Sequence, residues 1–349
     1  MNDKLTDLTR RLAVSGALSR EEYEYLIVNR TPDVAQSLAH AALSVRERIY
    51  GRDVYVRGLI EISNICRNDC LYCGIRRSNK NVCRYRLEPR DILACCDEGY
   101  DLGFRTFVLQ GGEDGFYTDG LLCDLVCDIK TAHPDCAVTL SLGERSRESY
   151  AALKSAGADR YLLRHETASP EHYASLHPAE MSFSARMACL YDLKDLGYQV
   201  GCGFMVGSPG QTPAHIARDL EFIVEFKPDM CGIGPFIPQR DTPFGTEPAG
   251  TLELTCYLLS VIRLICPNVL LPATTALGTI DPFGREKGIL AGANVVMPNL
   301  SPPSARKKYA LYDNKISDGA ESAQSKAELV RRMDAIGFRV VTARGDIIK

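Results

Sequence analysis

Residues 54–74 read VYVRGLIEISNICRNDCLYCG, and the fold turns on how that stretch divides. Its first ten residues, 54–63, are rich in Val, Ile and Leu, as in a parallel strand buried on both faces. The polar residues that follow leave the strand and carry Cys66, Cys70 and Cys73, a C-x-x-x-C-x-x-C run. That spacing gathers three thiolates around one small volume. A 4Fe–4S cluster is normally held by four Cys thiolates, so three leave one iron open to a non-protein ligand. Two blander readings exist: a structural zinc site completed from elsewhere, or a redox pair with a bystander. No ligand stands at zinc-like spacing nearby, since Cys83 lies ten residues on and His40 well upstream.

Working outward, strand-like segments recur at 106–112, 137–143, 160–167, 199–207, 230–238, 268–276 and 294–299. Helix-like segments such as 88–103, 147–157, 183–197 and 253–267 separate them, with Gly103, Gly157 and Gly197 as stop signals. Eight strand–helix units predict an α/β fold, a (β/α)8 TIM-type barrel over residues 51–315. Residues 1–50 read as an N-terminal helical extension, and 316–349 as a C-terminal helix and short extended tail. An open Rossmann-like sheet is disfavoured because no G-x-G-x-x-G follows the first strand. Active sites of such barrels lie at the C-terminal strand ends, which is where the cysteine loop leaves.

Composition bounds the partners. The 349 residues are 45% hydrophobic with a formal net charge of −3, so neither nucleic acid nor an anionic membrane is indicated. The first residues, MNDKLTDLTRRLAVSG, lack a signal-peptide core, and a cytoplasmic location is expected. Fourteen cysteines do not form a disulfide framework. Cys189, Cys202, Cys231, Cys256 and Cys266 sit singly in apolar segments, as small buried hydrophobes do. Cys123 and Cys127 share a helix face, where core packing is favoured over a metal pair.

The strand ends carry unusual residues. The second gives Gln110-Gly111-Gly112-Glu113-Asp114, where two glycines let backbone approach a ligand and a carboxylate can take an ammonium. The third ends in Ser141 and Glu144, the fourth in Arg164, His165 and Glu166. By the period of two, Arg160, Arg164 and Glu166 share a face, and His165 points away as a packing histidine. Arg186, opening the next helix, can reach back as a carboxylate clamp. The turn 207–212 has donors suited to a ribose or carboxylate, or is a plain turn capped by Thr212. Thr274, Thr275, Met297 and Tyr309 converge later in the chain.

The cysteine run, with Tyr72 inside it and Gly74 after it, together with Gly111–Gly112–Glu113, resembles the radical S-adenosylmethionine (SAM) superfamily. Within it, RYLLRHETASP, GIGPFIPQRDTP, PATTALGT, GANVVMPN and the Y-x-L-Y at 309–312 resemble the FeFe-hydrogenase maturase family over about residues 50 to 315. The resemblance implies one 4Fe–4S cluster on Cys66, Cys70 and Cys73, and reductive cleavage of SAM to a 5′-deoxyadenosyl radical. It implies a SAM site from Tyr72, Gly111, Gly112, Glu113, Ser141, Glu144, Arg164, Glu166 and Arg186. It also implies a substrate cavity from Arg160, Met230, Thr274, Thr275, Met297 and Tyr309, taking a small cysteine-bound iron carbonyl cyanide. Transient contacts with other maturases and an electron donor follow from the same likeness. Ser317 stands where many members begin a second set of cluster cysteines, and no cysteine follows Cys266. A methylornithine synthase-like lysine mutase is the alternative within the superfamily, biotin synthase a more distant one. A non-catalytic iron–sulfur carrier is the alternative outside it.

Overall fold

The computed structural model describes residues 3–317 and 322–348. Three helices come first: α1 (Asp3–Ser15), α2 (Arg20–Val28) and α3 (Pro32–Tyr50). Ser19 and Glu22 close a reciprocal capping box on α2, while Thr31 caps α3 with Pro32 at its first position. Amide groups that each first turn leaves open are thereby satisfied. Leu8 and Leu12 of α1, Leu26 of α2 and Leu38 of α3 are buried; α1 lies against α3, while α2 and α3 lie against the barrel helices Pro213–Phe226 and Leu252–Ile265.

The first predicted strand is two, β1 (Asp53–Val56) and β2 (Gly58–Ser63), broken at Arg57. There follow β3 (Thr106–Gly111), β4 (Ala137–Ser141), β5 (Arg160–Leu162), β6 (Gln199–Cys202), β7 (Met205–Val206), β8 (Met230–Cys231), β9 (Gly234–Pro235), β10 (Val295–Val296) and β11 (Arg339–Val341). One parallel sheet runs β2-β3-β4-β5-β6-β8, a second runs β10-β1-β11, and β7 pairs β9. All six residues of β2 are buried, as parallel strands covered on both faces require. The expected strand at 268–276 is not a continuous ladder. It touches its neighbours through the bridges Met230–Leu270 and Pro272–Val295, because Pro272 has no N–H to give a ladder. The ring closes where β10 pairs β1 and Asn299 bridges Leu59. Eight strand positions, alternating with helices, make a (β/α)8 barrel.

The C-terminal tail does more than extend. After the helix Lys326–Ala335, β11 pairs in parallel with β1. The residues beyond it then run beneath the strand starts. Arg344 pairs with Asp159 at 2.9 Å, Asp346 with Arg160 at 2.5 Å, and the Thr106 hydroxyl donates to the Arg344 carbonyl at 2.7 Å.

All fourteen cysteines are free. Cys202 and Cys231 are buried as expected of small hydrophobes, while Cys189, Cys256 and Cys266 are half-buried. Of the pair expected in the core, Cys123 is half-buried and packs against it, while Cys127 is exposed. Their helix, Asp119–Ala132, buries Leu122, Leu125, Val126 and Ile129, so Cys123 lies at the edge of the core face and Cys127 outside it. No helix among the described residues is long and apolar enough to cross a membrane.

Candidate active site

The loop after β2 is held by charge and amide groups. The Arg84 guanidinium donates to the carbonyls of Asn64 (2.5 Å), Ile75 (2.7 Å), Arg76 (2.6 Å) and Asn79 (3.0 Å). Asp69 accepts from Arg76 Nε (2.7 Å), Ser78 N (3.0 Å) and Ser78 Oγ (2.8 Å), and the Arg76 bond holds its carboxyl well below the usual range. With the backbone so pinned, Cys66, Cys70 and Cys73 all line one cavity of about 370 Å³. Burial pushes all three thiols up, Cys73 to about 12, so they stay protonated until a metal displaces the protons. Three thiols on one cavity are the ligand count that leaves one iron of a 4Fe–4S cluster open.

Tyr72 also lines the cavity, and its orientation is set from behind. Burial pushes the His177 imidazole down to about 4, so the ring is neutral at pH 7. Its Nδ1–H donates to the Tyr173 carbonyl at 2.9 Å, leaving Nε2 to accept from the Tyr72 hydroxyl at 3.1 Å.

The end of β3 packs against this loop. A Cβ at Gly112 would lie 2.2 Å from the Ile65 carbonyl oxygen and 2.8 Å from Cys66 Cβ, so only glycine permits the approach. Gly111 beside it lines the cavity. Glu113 N donates to Cys66 Sγ at 3.4 Å. The Glu113 carboxylate takes Arg67 at 2.7 Å and the Glu144 amide at 2.9 Å. Gly143, at φ +75°, leaves it room, since a Cβ there would come within 2.1 Å of the Glu113 side chain.

Arg164 and Glu166 approach to 3.0 Å, yet Arg164 Nε and Nη2 and Glu166 Oε2 are buried without an aligned hydrogen-bond partner. Glu166 also sits at φ +66°, a costly conformation for a side-chain-bearing residue. Buried polar groups left unmatched call for a ligand. Arg186, on the helix Phe183–Asp195, donates to Glu144 Oε1 (2.5 Å) and to the Arg164 carbonyl (2.7 Å). Arg186, Arg164, Glu166 and Ser141 line the cavity; Glu144 stands behind, holding Arg186.

Deeper, Met230, Thr274, Thr275, Met297 and Tyr309 line the same cavity. Thr274 Oγ1 is buried with no hydrogen-bond partner among the described residues, and Tyr309 Oη accepts from Gln110 Nε2 at 3.4 Å. Arg160 does not join them. As the first residue of β5 it lies at the far end of the barrel, bonded to Asp346, Thr106, Gln199 and the Arg344 carbonyl. Because β5 ends at Leu162, the period of two does not carry through to Arg164 and Glu166.

Arg57 brings the cation instead. It is buried at the break between β1 and β2, donates to Met230 Sδ at 2.9 Å and to the Gly345 carbonyl at 3.5 Å, and has no partner at Nε among the described residues. Burial pushes its guanidinium well below the ordinary value. Glu61 and Lys315 also line the cavity. Arg57 and Glu61 were legible as charges inside an apolar strand.

Two other expectations resolve structurally. Gln211 satisfies the 207–212 turn internally, through Gly207 N and the Met205 carbonyl, while Thr212 caps the following helix. His165 is fully buried, 3.3 Å from Asp219 and accepting from Gly203 N.

Residues 60–223 match the Radical SAM superfamily model. The FeFe hydrogenase maturase subunit HydE of Thermotoga maritima is 48% identical over 281 residues, 80% of each chain. The 3-methylornithine synthase of Methanosarcina barkeri is 27% identical over 340 residues, 97% of this chain and 94% of that one. The crystal structure of methylornithine synthase (PylB) superposes with a TM-score of 0.84 at 26% identity, covering 96% of this chain and 97% of that one. A radical SAM enzyme uses a 4Fe–4S cluster and SAM, and the donor set above fits both: three thiols for the one, matched and unmatched charges for the other. At that identity and coverage the chain belongs to the radical SAM superfamily and, within it, to the family of the FeFe-hydrogenase maturase HydE.

Proposed function

We propose that this enzyme acts on a small cysteine-bound iron carbonyl cyanide during assembly of the FeFe-hydrogenase di-iron subcluster. In this reading it works in a reducing cytoplasm, in transient contact with other maturases and an electron donor. Cys66, Cys70 and Cys73 would hold the cluster. Glu113 would take the SAM ammonium, Arg164 and Arg186 its carboxylate, and Glu166 and Ser141 its hydroxyls, with Tyr72 against the adenine. When bound, the two cofactors supply radical chemistry through one-electron cleavage of a carbon–sulfur bond.

The chain's own part is placement and exclusion of water. Gly111 and Gly112 bring backbone close, Arg186 fixes Glu144 and the Arg164 carbonyl, and Tyr309 forms part of the chamber wall. The observation that carries the reading is the chamber's polarity. Its wall offers hydroxyls at Thr274 and Thr275, thioethers at Met230 and Met297, and the Arg57 cation, which among the described residues forms no ion pair with a carboxylate. That suits an anionic, sulfur-bound complex, with Arg57 in the role expected of Arg160. A free lysine would need an unclaimed carboxylate there.

The test is anaerobic turnover with SAM and dithionite. An iron–cysteine carbonyl cyanide should stimulate 5′-deoxyadenosine release, and lysine should not. Conversion of lysine to methylornithine would refute the assignment.

A further inference from the structure

Glu61 lies within β2, fully buried, and contributes to the cavity wall. A carboxylate there is the group a cationic amine would seek. Both its oxygens are taken: Oε1 by Lys315 Nζ at 2.5 Å, Oε2 by Asn299 Nδ2 at 2.8 Å. Lys315 reaches it from residues 307–317, a strap with neither helix nor strand that contributes Tyr309, Leu311, Tyr312 and Lys315 to the cavity.

The strap is not free to wander. Gly74 N donates to the Leu311 carbonyl (2.8 Å), Asn64 Nδ2 to the Lys308 carbonyl (2.8 Å), and Asp313 N to the Pro238 carbonyl (3.1 Å). It lies so close to the cysteine loop that a Cβ at Gly74 would sit 2.1 Å from the Ala310 carbonyl oxygen. Lys315 is therefore delivered to a fixed place. Its ammonium also donates to the Tyr309 carbonyl at 3.1 Å, and its side chain is only 9% exposed. Of the other carboxylates lining the cavity, Glu113 is held by Arg67 and the Glu144 amide, and Glu166 lies 3.0 Å from Arg164.

We propose that Lys315 is a specificity-determining residue: a built-in ammonium that occupies Glu61 and so bars cationic amines from the chamber. The proposal rests on reading this cavity as the substrate chamber. Its physical basis is the asymmetry of buried pairs. Removing Lys315 would leave a buried carboxylate with an amide as its remaining side-chain donor, a strongly unfavourable state that an incoming amine relieves.

Binding of n-pentylamine to the SAM-free, cluster-loaded protein, followed by calorimetry, tests this. Lys315→Ala should bind the amine at least about tenfold more tightly than the natural chain. The double variant Glu61→Gln/Lys315→Ala should lose that gain, and Lys315→Arg should behave like the natural chain. Equal binding by the natural chain and Lys315→Ala would overturn the proposal, as would a gain that survives in the double variant. Should Lys315→Ala fail to fold, Lys315→Met keeps the apolar stem and carries the same comparison. 5′-deoxyadenosine release by the natural chain is measured alongside. Its absence would count against the cavity as a SAM chamber, while the amine comparison alone decides the role of Lys315.

Discussion

At the scale of residues, charge placement decides what the chamber can hold. Arg186 touches both Glu144 and the Arg164 carbonyl, so Arg186→Leu should weaken SAM binding by about 1.5–3 kcal/mol, the range of a charged hydrogen bond. Iron content should stay at the natural level. An equal loss of iron would mean that Arg186 supports the loop instead. Arg57→Leu should leave SAM affinity intact but raise the KM for an anionic iron–cysteine substrate; an unchanged KM would remove Arg57 from the substrate site. The cysteines, Gly112, Glu113 and Arg186, which spacing and residue type single out, all line the one cavity. Arg160 misled because the period of two was extended past Leu162, where β5 stops. Arg57 and Glu61 obey the same physics as the rim residues, a charge set in an apolar strand. Both lie inside the apolar run 54–63 and not at its end, where the rim residues stand.

Among elements, the cysteine loop depends on a single side chain, since the Arg84 guanidinium serves four of its carbonyls. Arg84→Gln should lower thermal stability by about 1–3 kcal/mol and reduce iron retained after gel filtration. Unchanged retention would show that the sulfurs alone shape the loop. The loop's neighbour His177 gives a pH signature. Burial lowers its imidazole from the ordinary 6.5 to about 4. Below pH 6.5 the unfolded chain takes up a proton that the folded chain refuses until about pH 4. The contribution is thus fully present above 6.5 and is lost as pH falls through that window, at up to about 1.4 kcal/mol per unit. Denaturant melts of the metal-free protein should show this slope, and His177→Gln should flatten it; a variant with the same slope would refute the attribution. Strand positions were legible from apolar runs and glycine stops. Their breaks were not, because Pro272, the kink at Arg57 and the positive φ of Glu166 depend on tertiary neighbours.

The whole molecule is a barrel with chemistry at one end and its own tail at the other. Asp346 neutralises the fully buried Arg160 beneath the strands, so Asp346→Asn should destabilise the fold by about 1–3 kcal/mol. SAM affinity should stay unchanged, because the pair lies away from the rim. That closure from below was invisible in the sequence, where the tail shows no pattern tying it to β1 or to Arg160. The central claim is that one cluster on three cysteines drives SAM cleavage in this chamber. Its most direct test is iron analysis and 5′-deoxyadenosine release, made on the anaerobically reconstituted chain and on Cys70→Ser. The account predicts about four irons per chain, as one cubane cluster, with release in the natural chain and none in Cys70→Ser. About eight irons per chain, or release that persists without Cys70, would contradict it.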